Sequence, residues 1–154
     1  MKIAIAADHA GYELKHKRAA YLREAGHHVD DQGPCSDERV DYPDFAERAC
    51  RRLVDKSVHR VVLVCGSGIG MAMSANKVSG CRAVVAHNSW EAEMSRRHNN
   101  ANVICFGSRS MGIDVVKHSL DVFLATEFDG GRHTGRVAKI SRLDGSAVND
   151  LPGE

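Results

Sequence analysis

The sequence predicts an α/β fold: a single-domain, three-layer αβα sandwich around a five-stranded parallel sheet. Short apolar runs of strand length alternate along the chain with stretches of helical spacing, which is the pattern of a parallel sheet covered by helices on both faces. The length of 154 residues suits one domain with a single core. Neither an internal repeat nor a linker-like stretch divides the chain.

The first four elements follow from the N-terminal third of the chain. Residues 2–7 are a short apolar run typical of a strand. Residues 12–25 repeat apolar side chains at helical spacing, and Gly26 stands where a C-cap glycine ends a helix. Residues 27–31 predict a second short strand, and Pro43 suits the first turn of a helix that runs to about residue 56.

The middle of the chain predicts two strands, each followed by a helix. Residues 59–65 are the clearest strand, because their apolar core is uninterrupted, as in a parallel strand covered on both faces. A glycine-rich loop then leads into a helix over residues 67–78, and residues 81–86 predict the fourth strand. Asn88, with Glu91 three residues later, resembles a capping box that opens a helix to about residue 97.

The C-terminal part predicts a last strand and two helices. Residues 102–106 form the fifth strand, residues 111–125 have helical spacing, and residues 132–141 form a short final helix. We therefore place the domain at residues 1–142 and a loose tail at residues 143–154. Five strands in this alternation suggest the flavodoxin-like or Rossmann-like order 2-1-3-4-5, with ligands bound beyond the carboxyl ends of strands 1 and 3.

The composition excludes several functional classes. Lys plus Arg number 21 and Asp plus Glu number 20, so the formal net charge of +1 gives no electrostatic case for nucleic-acid binding. No apolar run approaches the roughly 20 residues that a membrane span needs, and the opening run is too short for a signal peptide. The five cysteines form no C-x-x-C pair, which argues against a disulfide framework or zinc site and favours a cytoplasmic location.

A glycine-rich loop, Cys65-Gly66-Ser67-Gly68-Ile69-Gly70, follows the third predicted strand. Such a loop is either a tight turn into a helix or a cradle whose backbone N–H groups face an anion, and three glycines in five residues favour the cradle. Met71 stands where a cysteine-phosphatase loop would have arginine, and the lysine of a P-loop is missing. The glycine spacing also differs from the dinucleotide-binding fingerprint. We expect an anionic ligand here.

Cys65 ends a predicted strand directly before the N-terminus of a helix. A free cysteine in a strand is as readily a small packing residue, and we expect that role for the other four, Cys35, Cys50, Cys81 and Cys105. The partial positive charge at the helix N-terminus favours the thiolate form of Cys65, which would make this side chain a base or a nucleophile.

Two further segments carry candidate ligands. His98 and Asn99 end the fourth predicted helix, where a cation and an asparagine cap are both common without any function. Arg132 and Arg136 lie four residues apart on one predicted helix face, in a segment without acidic residues. They form either a solvated basic face or a clamp on a phosphate, and the lack of acidic residues favours the phosphate.

Several short motifs are spaced along the chain. They are Asp8-His9-Ala10-Gly11, Asp41-Tyr42-Pro43, the cysteine–glycine loop, Ser74-Ala75-Asn76-Lys77, Arg97-His98-Asn99, Phe106-Gly107-Ser108-Arg109, and Gly130-Gly131-Arg132-His133 with Arg136. In register from about residue 2 to residue 141, the motifs resemble those of the type B ribose-5-phosphate isomerase family.

The resemblance implies an aldose–ketose isomerase that interconverts ribose 5-phosphate and ribulose 5-phosphate through an enediolate, without a metal or other cofactor. It implies Cys65 as the base that moves a proton between C1 and C2, and His98 as the acid that opens the furanose ring. A subclass with a glutamate base has it at the position of Met71, so this sequence looks like the cysteine-base subclass. The other implied site residues are the backbone of Gly66, Ser67, Gly68, Ile69 and Gly70 for the enediolate, Asp8, Tyr42 and Asn99 for the sugar, and His9, Arg109, Arg132 and Arg136 for the phosphate.

The predicted topology separates two of these groups. A helix that follows a parallel strand runs back antiparallel to it, so His98 should lie at the opposite end of the sheet from Cys65, roughly 20 Å away. If both act on one substrate, His98 comes from a second chain. This predicts a homodimer with shared sites to which the second chain donates His98, Asn99, Arg132 and Arg136. The resemblance implies a dimer or a dimer of dimers.

Two alternatives stay open. The same chemistry could act on another phosphosugar, such as allose 6-phosphate, galactose 6-phosphate or a tetrulose phosphate. Galactose-6-phosphate isomerase looks like a heteromer that divides these motifs between two chains, whereas here the cysteine loop and His98 share one chain. The second alternative is a non-catalytic module that binds a phosphorylated metabolite with the same loop and arginines.

Overall fold

The computed structural model describes residues 1–145 and has the predicted α/β fold, with five parallel strands between layers of helices. The strands are β1 (Lys2–Ala7), β2 (His28–Asp31), β3 (Arg60–Cys65), β4 (Ala83–Val85) and β5 (Val103–Gly107). The helices are α1 (Tyr12–Glu24), α2 (Tyr42–Val54), α3 (Ile69–Ala75), α4 (Ser89–Asn99), α5 (Ile113–Ala125) and α6 (Thr134–Leu143), with a 3-10 turn at Gly131–His133. Over residues 1–145, none of the helices has the length and apolar character needed to cross a membrane.

The strand order is β2-β1-β3-β5-β4, so the predicted order 2-1-3-4-5 is wrong for the last two strands. β5, rather than β4, pairs with β3, and this pairing joins Val61 to Val103 at one end and Cys65 to Gly107 at the other. Burial gives the reason, because every residue of β5 is buried, whereas the three residues of β4 are all half-buried. A short and partly exposed strand suits the edge of a sheet.

Alternate residues of the central strands point into two separate hydrophobic cores. Ile3 and Ile5 of β1 share one core with Phe106 of β5 and with residues of α1, α4 and α5. Ala4 and Ala6 face the other core, together with residues of α2 and α3. Burial on both faces explains why β1, β3 and β5 are nearly unbroken apolar runs in the sequence.

Side-chain contacts fix where two of the helices begin and end. Asn88 caps α4 as predicted, since its Oδ1 accepts a hydrogen bond from the Glu91 N–H at 2.9 Å. α3 is shorter than predicted because Asn76 pairs with the backbone of β4. The Asn76 side chain donates to the Ala83 carbonyl at 3.0 Å and accepts from the Ala83 N–H at 2.8 Å, which turns the chain into β4.

The C-terminal segment differs from the prediction at the two arginines. Arg132 lies in the 3-10 turn and Arg136 lies in α6, so they do not share one continuous helix. Gly130 and Gly131 have positive φ values of 64° and 53°, which redirect the chain before α6. From position 146 onward, the predicted tail at residues 143–154 lies outside the described residues.

Candidate active site

The loops that follow β1, β3 and β5 meet at the carboxyl edge of the sheet. The Asp8 N–H donates to the Val64 carbonyl at 3.1 Å, and the Ser108 N–H donates to the Cys65 carbonyl at 2.8 Å. The Ser108 hydroxyl donates to the Ala10 carbonyl, in the loop after β1, at 2.7 Å. The three loops are therefore one hydrogen-bonded unit.

The Cys65 thiol is buried at the end of β3, where 4% of the residue is exposed. Its Sγ accepts a hydrogen bond from the Gly68 N–H at 3.1 Å. Gly68 has a φ of 79°, and a Cβ at this position would lie 3.1 Å from the carbonyl carbon of Phe106, so the turn that aims this N–H requires glycine. An N–H donor directed at sulfur stabilises negative charge there, which a base needs.

The rest of the glycine loop packs closely on its neighbours. The Tyr42 ring covers Gly70, where a Cβ would lie 2.8 Å from the ring carbons. A Cβ at Gly107 would lie 2.8 Å from the Ser67 carbonyl, and the Ser67 hydroxyl accepts a hydrogen bond from the Ile69 N–H at 3.3 Å. These contacts hold the loop backbone in one conformation at the sheet edge.

Arg109 lies beside this loop and shares a cavity with His9. The Arg109 N–H donates to the Gly66 carbonyl at 3.0 Å, and a Cβ placed at Gly66 would lie 3.6 Å from the Arg109 guanidinium. The Val40 N–H donates to His9 Nδ1 over a long 3.5 Å, which favours the tautomer with its proton on Nε2. Both side chains line a cavity of about 500 Å³, whose wall also carries Lys17 and two carboxylates. His9, Lys17 and Arg109 are thus donors that the cavity offers to an anionic group.

The Asp8 carboxylate is buried and partly committed to the fold. Its Oδ1 accepts a hydrogen bond from the Gly11 N–H at 2.9 Å, which closes the turn between β1 and α1.

His98 lies at the opposite edge of the sheet from Cys65. α4 ends at Asn99, and β5 begins shortly afterwards at Val103, its amino end. Cys65 pairs with Gly107 at the carboxyl end of β5. The backbone positions of the two residues in one chain are therefore separated along the sheet by about the length of β5, roughly 13 Å.

His98 forms a parallel stack with His133. The centroids of the two imidazoles are 4.3 Å apart, and the angle between the ring planes is 7°. Arg132 donates through Nε to the Nε2 of His133 at 3.3 Å. Burial lowers the pKa of His133, and the neighbouring charges of His98 and of the two arginines, Arg132 and Arg136, lower it further. The ring of His133 is thus kept neutral.

The buried Arg96 side chain ties this edge together. Its guanidinium donates to the Ala101 carbonyl at 2.6 Å, the Asn100 side-chain oxygen at 2.9 Å and the Thr126 carbonyl at 3.1 Å. Burial lowers the pKa of Arg96 to about 10, which leaves it charged at neutral pH. Arg96 therefore fixes the end of α5 against the end of α4, where His98 lies.

The structure divides the predicted site residues into two groups. The carboxyl edge carries Cys65 with its glycine loop, Asp8, His9, Tyr42 and Arg109. The amino edge carries His98, Asn99, Arg132 and Arg136. Sequence reasoning missed the stacking of His133 and the anchoring by Arg96. The Gly130-Gly131-Arg132-His133 motif was a signal for His133, whereas Arg96 carries no signal that separates it from its neighbour Arg97.

The cysteines depart from the expectation at one position. Cys50, Cys81 and Cys105 are buried, but Cys35 is exposed, because it lies in the irregular segment between β2 and α2. As for metal ligands, the part of the chain that the structure describes contains no group of three or more His, Cys, Asp or Glu side chains arranged to hold an ion.

The chain is similar to known sugar isomerases. A family model described as ribose/galactose isomerase matches residues 3–140. Ribose-5-phosphate isomerase B of Escherichia coli strain K12 is 41% identical over 143 residues, which cover 93% of this chain and 96% of that protein. D-erythrulose-4-phosphate isomerase of Pectobacterium atrosepticum is 38% identical over 142 residues, which cover 91% of this chain and 93% of that protein. The solved structure of ribose-5-phosphate isomerase B from Clostridium thermocellum has a TM-score of 0.92 and 43% identity, covering 94% of this chain and 97% of that one. The chain therefore belongs to the ribose/galactose isomerase family.

Proposed function

We propose that the protein interconverts ribose 5-phosphate and ribulose 5-phosphate through an enediolate, with Cys65 as the base. The observation that carries the proposal is the Gly68 N–H that donates to the Cys65 Sγ at 3.1 Å, in a loop that contacts Arg109. Arg109 in turn lines a cavity together with His9. A base, N–H donors for an oxyanion and an anchor for phosphate are the groups that this isomerisation needs. Relatives named ribose-5-phosphate isomerase B support the choice of substrate.

Cys65 carries the proton between C1 and C2 of the open-chain sugar. In the aldose-to-ketose direction, the thiolate takes the C2 proton, the electron pair left behind forms a C1–C2 double bond, and negative charge moves to O1. The O2 proton then passes to O1, and the thiol returns its proton to C1 as the C2 carbonyl forms. The Gly68 and Ile69 N–H groups already donate to Cys65 Sγ and Ser67 Oγ, so the other backbone N–H groups of residues 66–70 stabilise the charge on the enediolate oxygens.

His98 acts before this step, because ribose 5-phosphate closes into a furanose ring. The imidazolium donates a proton to the ring oxygen as the bond from C1 to that oxygen breaks, and the C1 hydroxyl loses its proton to solvent and becomes the aldehyde. Asp8, with Tyr42 and Asn99, holds the sugar oxygens during these steps.

Two copies of the chain make one complete site. Within a chain, His98 and Cys65 lie roughly 13 Å apart along β5. In the sugar, by contrast, the ring oxygen and the C2 proton are close together, because the ring oxygen is bonded to C1. One substrate therefore meets the Cys65 of one copy and the His98 of another, which supports a homodimer. The side chains that the second copy contributes are His98, Asn99, Arg132 and Arg136.

A panel of isomerase assays tests the proposed substrate. The protein is given ribose 5-phosphate, allose 6-phosphate, galactose 6-phosphate and erythrose 4-phosphate, and the appearance of ketose is followed. We expect the highest kcat/KM with ribose 5-phosphate. An enzyme that is inactive on ribose 5-phosphate and fast on another sugar would contradict the choice of substrate. A protein that binds these phosphates without turnover would instead be a binding module.

A tetrulose phosphate is the second candidate substrate. It is favoured by the similarity to D-erythrulose-4-phosphate isomerase over 91% of this chain. A four-carbon sugar with its phosphate on O4 has no free hydroxyl with which to close a five-membered ring, so its isomerisation needs Cys65 but no ring-opening acid. In His98→Asn, activity on a tetrose phosphate should survive while activity on ribose 5-phosphate falls.

A further inference from the structure

We propose that His133 is a positioning residue for the ring-opening step, which holds the imidazole of His98 in one orientation by stacking on it. The proposal rests on the proposed function, because it deepens the role given there to His98. The two rings face each other in nearly parallel planes, 7° apart in angle, with centroids at 4.3 Å. This separation is slightly shorter than the centroid distances of about 4.5–7 Å usual for interacting aromatic rings.

His133 is a fixed surface for this stack. Only 7% of the residue is exposed. The backbone N–H of His133 donates to the Gly130 carbonyl at 3.0 Å in the 3-10 turn. The ring Nε2 of His133 accepts a hydrogen bond from the Nε of Arg132 at 3.3 Å. His98, by contrast, is half-buried and is the second-last residue of α4. The more exposed ring is therefore packed on a ring that burial and hydrogen bonds hold in place.

The surroundings also keep His133 neutral. Burial is the largest cause that lowers its pKa, followed by the charges of His98 and of the two nearby arginines, against an opposing effect of Asp129. Because Nε2 accepts the hydrogen bond from Arg132, the proton of the neutral ring lies on Nδ1. A neutral ring does not repel a proton on His98, as a second imidazolium would.

Orientation matters for ring opening because a general acid must meet its acceptor within hydrogen-bond reach. An imidazole that rotates freely about its side-chain bonds meets the ring oxygen only part of the time. Stacking removes that freedom before the substrate binds, and a misplacement of about 1 Å costs roughly 100-fold in rate. Loss of the His133 ring should therefore slow ring opening and leave proton transfer at Cys65 unchanged.

Two assays on the full-length protein separate these steps. Conversion of ribose 5-phosphate starts from the closed furanose and needs ring opening and proton transfer. Exchange of the C1 proton of ribulose 5-phosphate with solvent deuterium needs only proton transfer, because a ketose with its phosphate on O5 cannot close a furanose ring. Three variants are compared: His133→Ala removes the stacking surface, His133→Phe keeps a flat ring of similar size, and His98→Asn removes the acid.

We expect His133→Ala to lower kcat for ribose 5-phosphate roughly 10- to 100-fold while kcat for deuterium exchange keeps its wild-type value. Both are measured at saturating substrate, because His133 also accepts a hydrogen bond from Arg132, which is proposed to bind the phosphate. His133→Phe should recover most of the loss. Equal losses in the two assays, full activity of His133→Ala, or no recovery in His133→Phe would overturn the positioning role. If His98→Asn lowers both activities equally, the role of His98 in ring opening is contradicted. If the wild-type protein has neither activity, the proposed function is contradicted.

Discussion

Cys65 and Cys105 face the same core from neighbouring strands, but their sulfur atoms meet different surroundings. The Gly68 N–H donates to the Cys65 Sγ at the end of β3. Cys105 is fully buried within β5, where burial raises the pKa of its thiol well above the usual value and keeps it protonated. The end of a strand beside a loop thus suits a base, and the interior of a strand suits a packing residue.

Cys65→Ala should lower kcat for ribose 5-phosphate roughly 10²- to 10⁴-fold, because the base is removed, while the sugar phosphate still binds. Cys105→Ala is the matched control, since it removes a buried thiol from the same core. We expect Cys105→Ala to stay active and to lose about 1–2 kcal/mol of unfolding free energy. Steady-state kinetics, calorimetric titration and urea unfolding measure these effects. Turnover that survives in Cys65→Ala would rule out Cys65 as the base.

The lowered pKa of His133 predicts a pH dependence of stability. Burial holds the folded-state pKa below the ordinary value of 6.5, so as pH falls the unfolded chain takes up this proton before the folded chain does. Acid therefore destabilises the wild type through His133. Between about pH 7.5 and about pH 5.5, His133→Phe should lose less unfolding free energy in urea titrations than the wild type. Parallel losses in the two proteins would contradict the lowered pKa.

At the scale of elements, the sequence pattern predicts each strand and each α-helix among residues 1–145, but neither the 3-10 turn before α6 nor the order of the last two strands. β4 and β5 are both short apolar runs, and they differ because β5 is buried throughout while β4 is only half-buried at an edge. That burial depends on the neighbours of each strand in the assembled sheet. The end of α3 depends in the same way on Asn76 meeting Ala83 of β4.

The sequence predicts the part of the candidate site that lies in one continuous loop better than the part that forms where two separate elements meet. The glycine loop after β3 and its cysteine are continuous in sequence, so their spacing points to an anion site. The stack of His98 on His133 joins the end of α4 to the turn before α6, and no local pattern connects those two segments. The Arg96 contacts that fix the end of α5 to α4 are hidden for the same reason.

Gly68 and Gly80 form a matched pair that tests the glycine loop. Both have positive φ values, 79° and 87°, so alanine strains the backbone at either position by about 1–2 kcal/mol. A Cβ at Gly68 would also press on Phe106 and Val85 at 3.1 and 3.2 Å, whereas at Gly80 it meets nothing within 4 Å. Gly68→Ala should therefore lose more unfolding free energy in urea than Gly80→Ala.

The same pair separates stability from catalysis. In Gly68→Ala the backbone N–H shifts away from the Cys65 Sγ, so we expect kcat to fall roughly tenfold or more. Gly80→Ala should keep the wild-type kcat, because Gly80 lies between α3 and β4, away from the glycine loop. Equal kcat values in the two variants would contradict a catalytic role for the Gly68 N–H.

At the scale of the whole molecule, the two groups of proposed site residues lie at opposite edges of the sheet of each chain, as two proposed half-sites. The half with Cys65 follows the carboxyl ends of the strands, and the half with His98 lies at the return of α4 to the amino edge. This separation is predictable from sequence even though the strand order is not, because a helix between parallel strands returns to the amino edge wherever its strand lies. A two-fold pair of chains would combine four half-sites into two sites.

Mixing two inactive variants tests whether these half-sites combine. A dimer of one Cys65→Ala chain and one His98→Ala chain has one intact site, so an equal mixture should regain about a quarter of wild-type activity after subunit exchange. The control is a chain with both substitutions, mixed equally with wild type. Its mixed dimers have no intact site, so the activity should fall to about a quarter of that of the same total amount of wild type. Sites that are not shared between chains would leave about half of that activity. No recovery in the first mixture, despite exchange seen by mass spectrometry, would contradict the shared site.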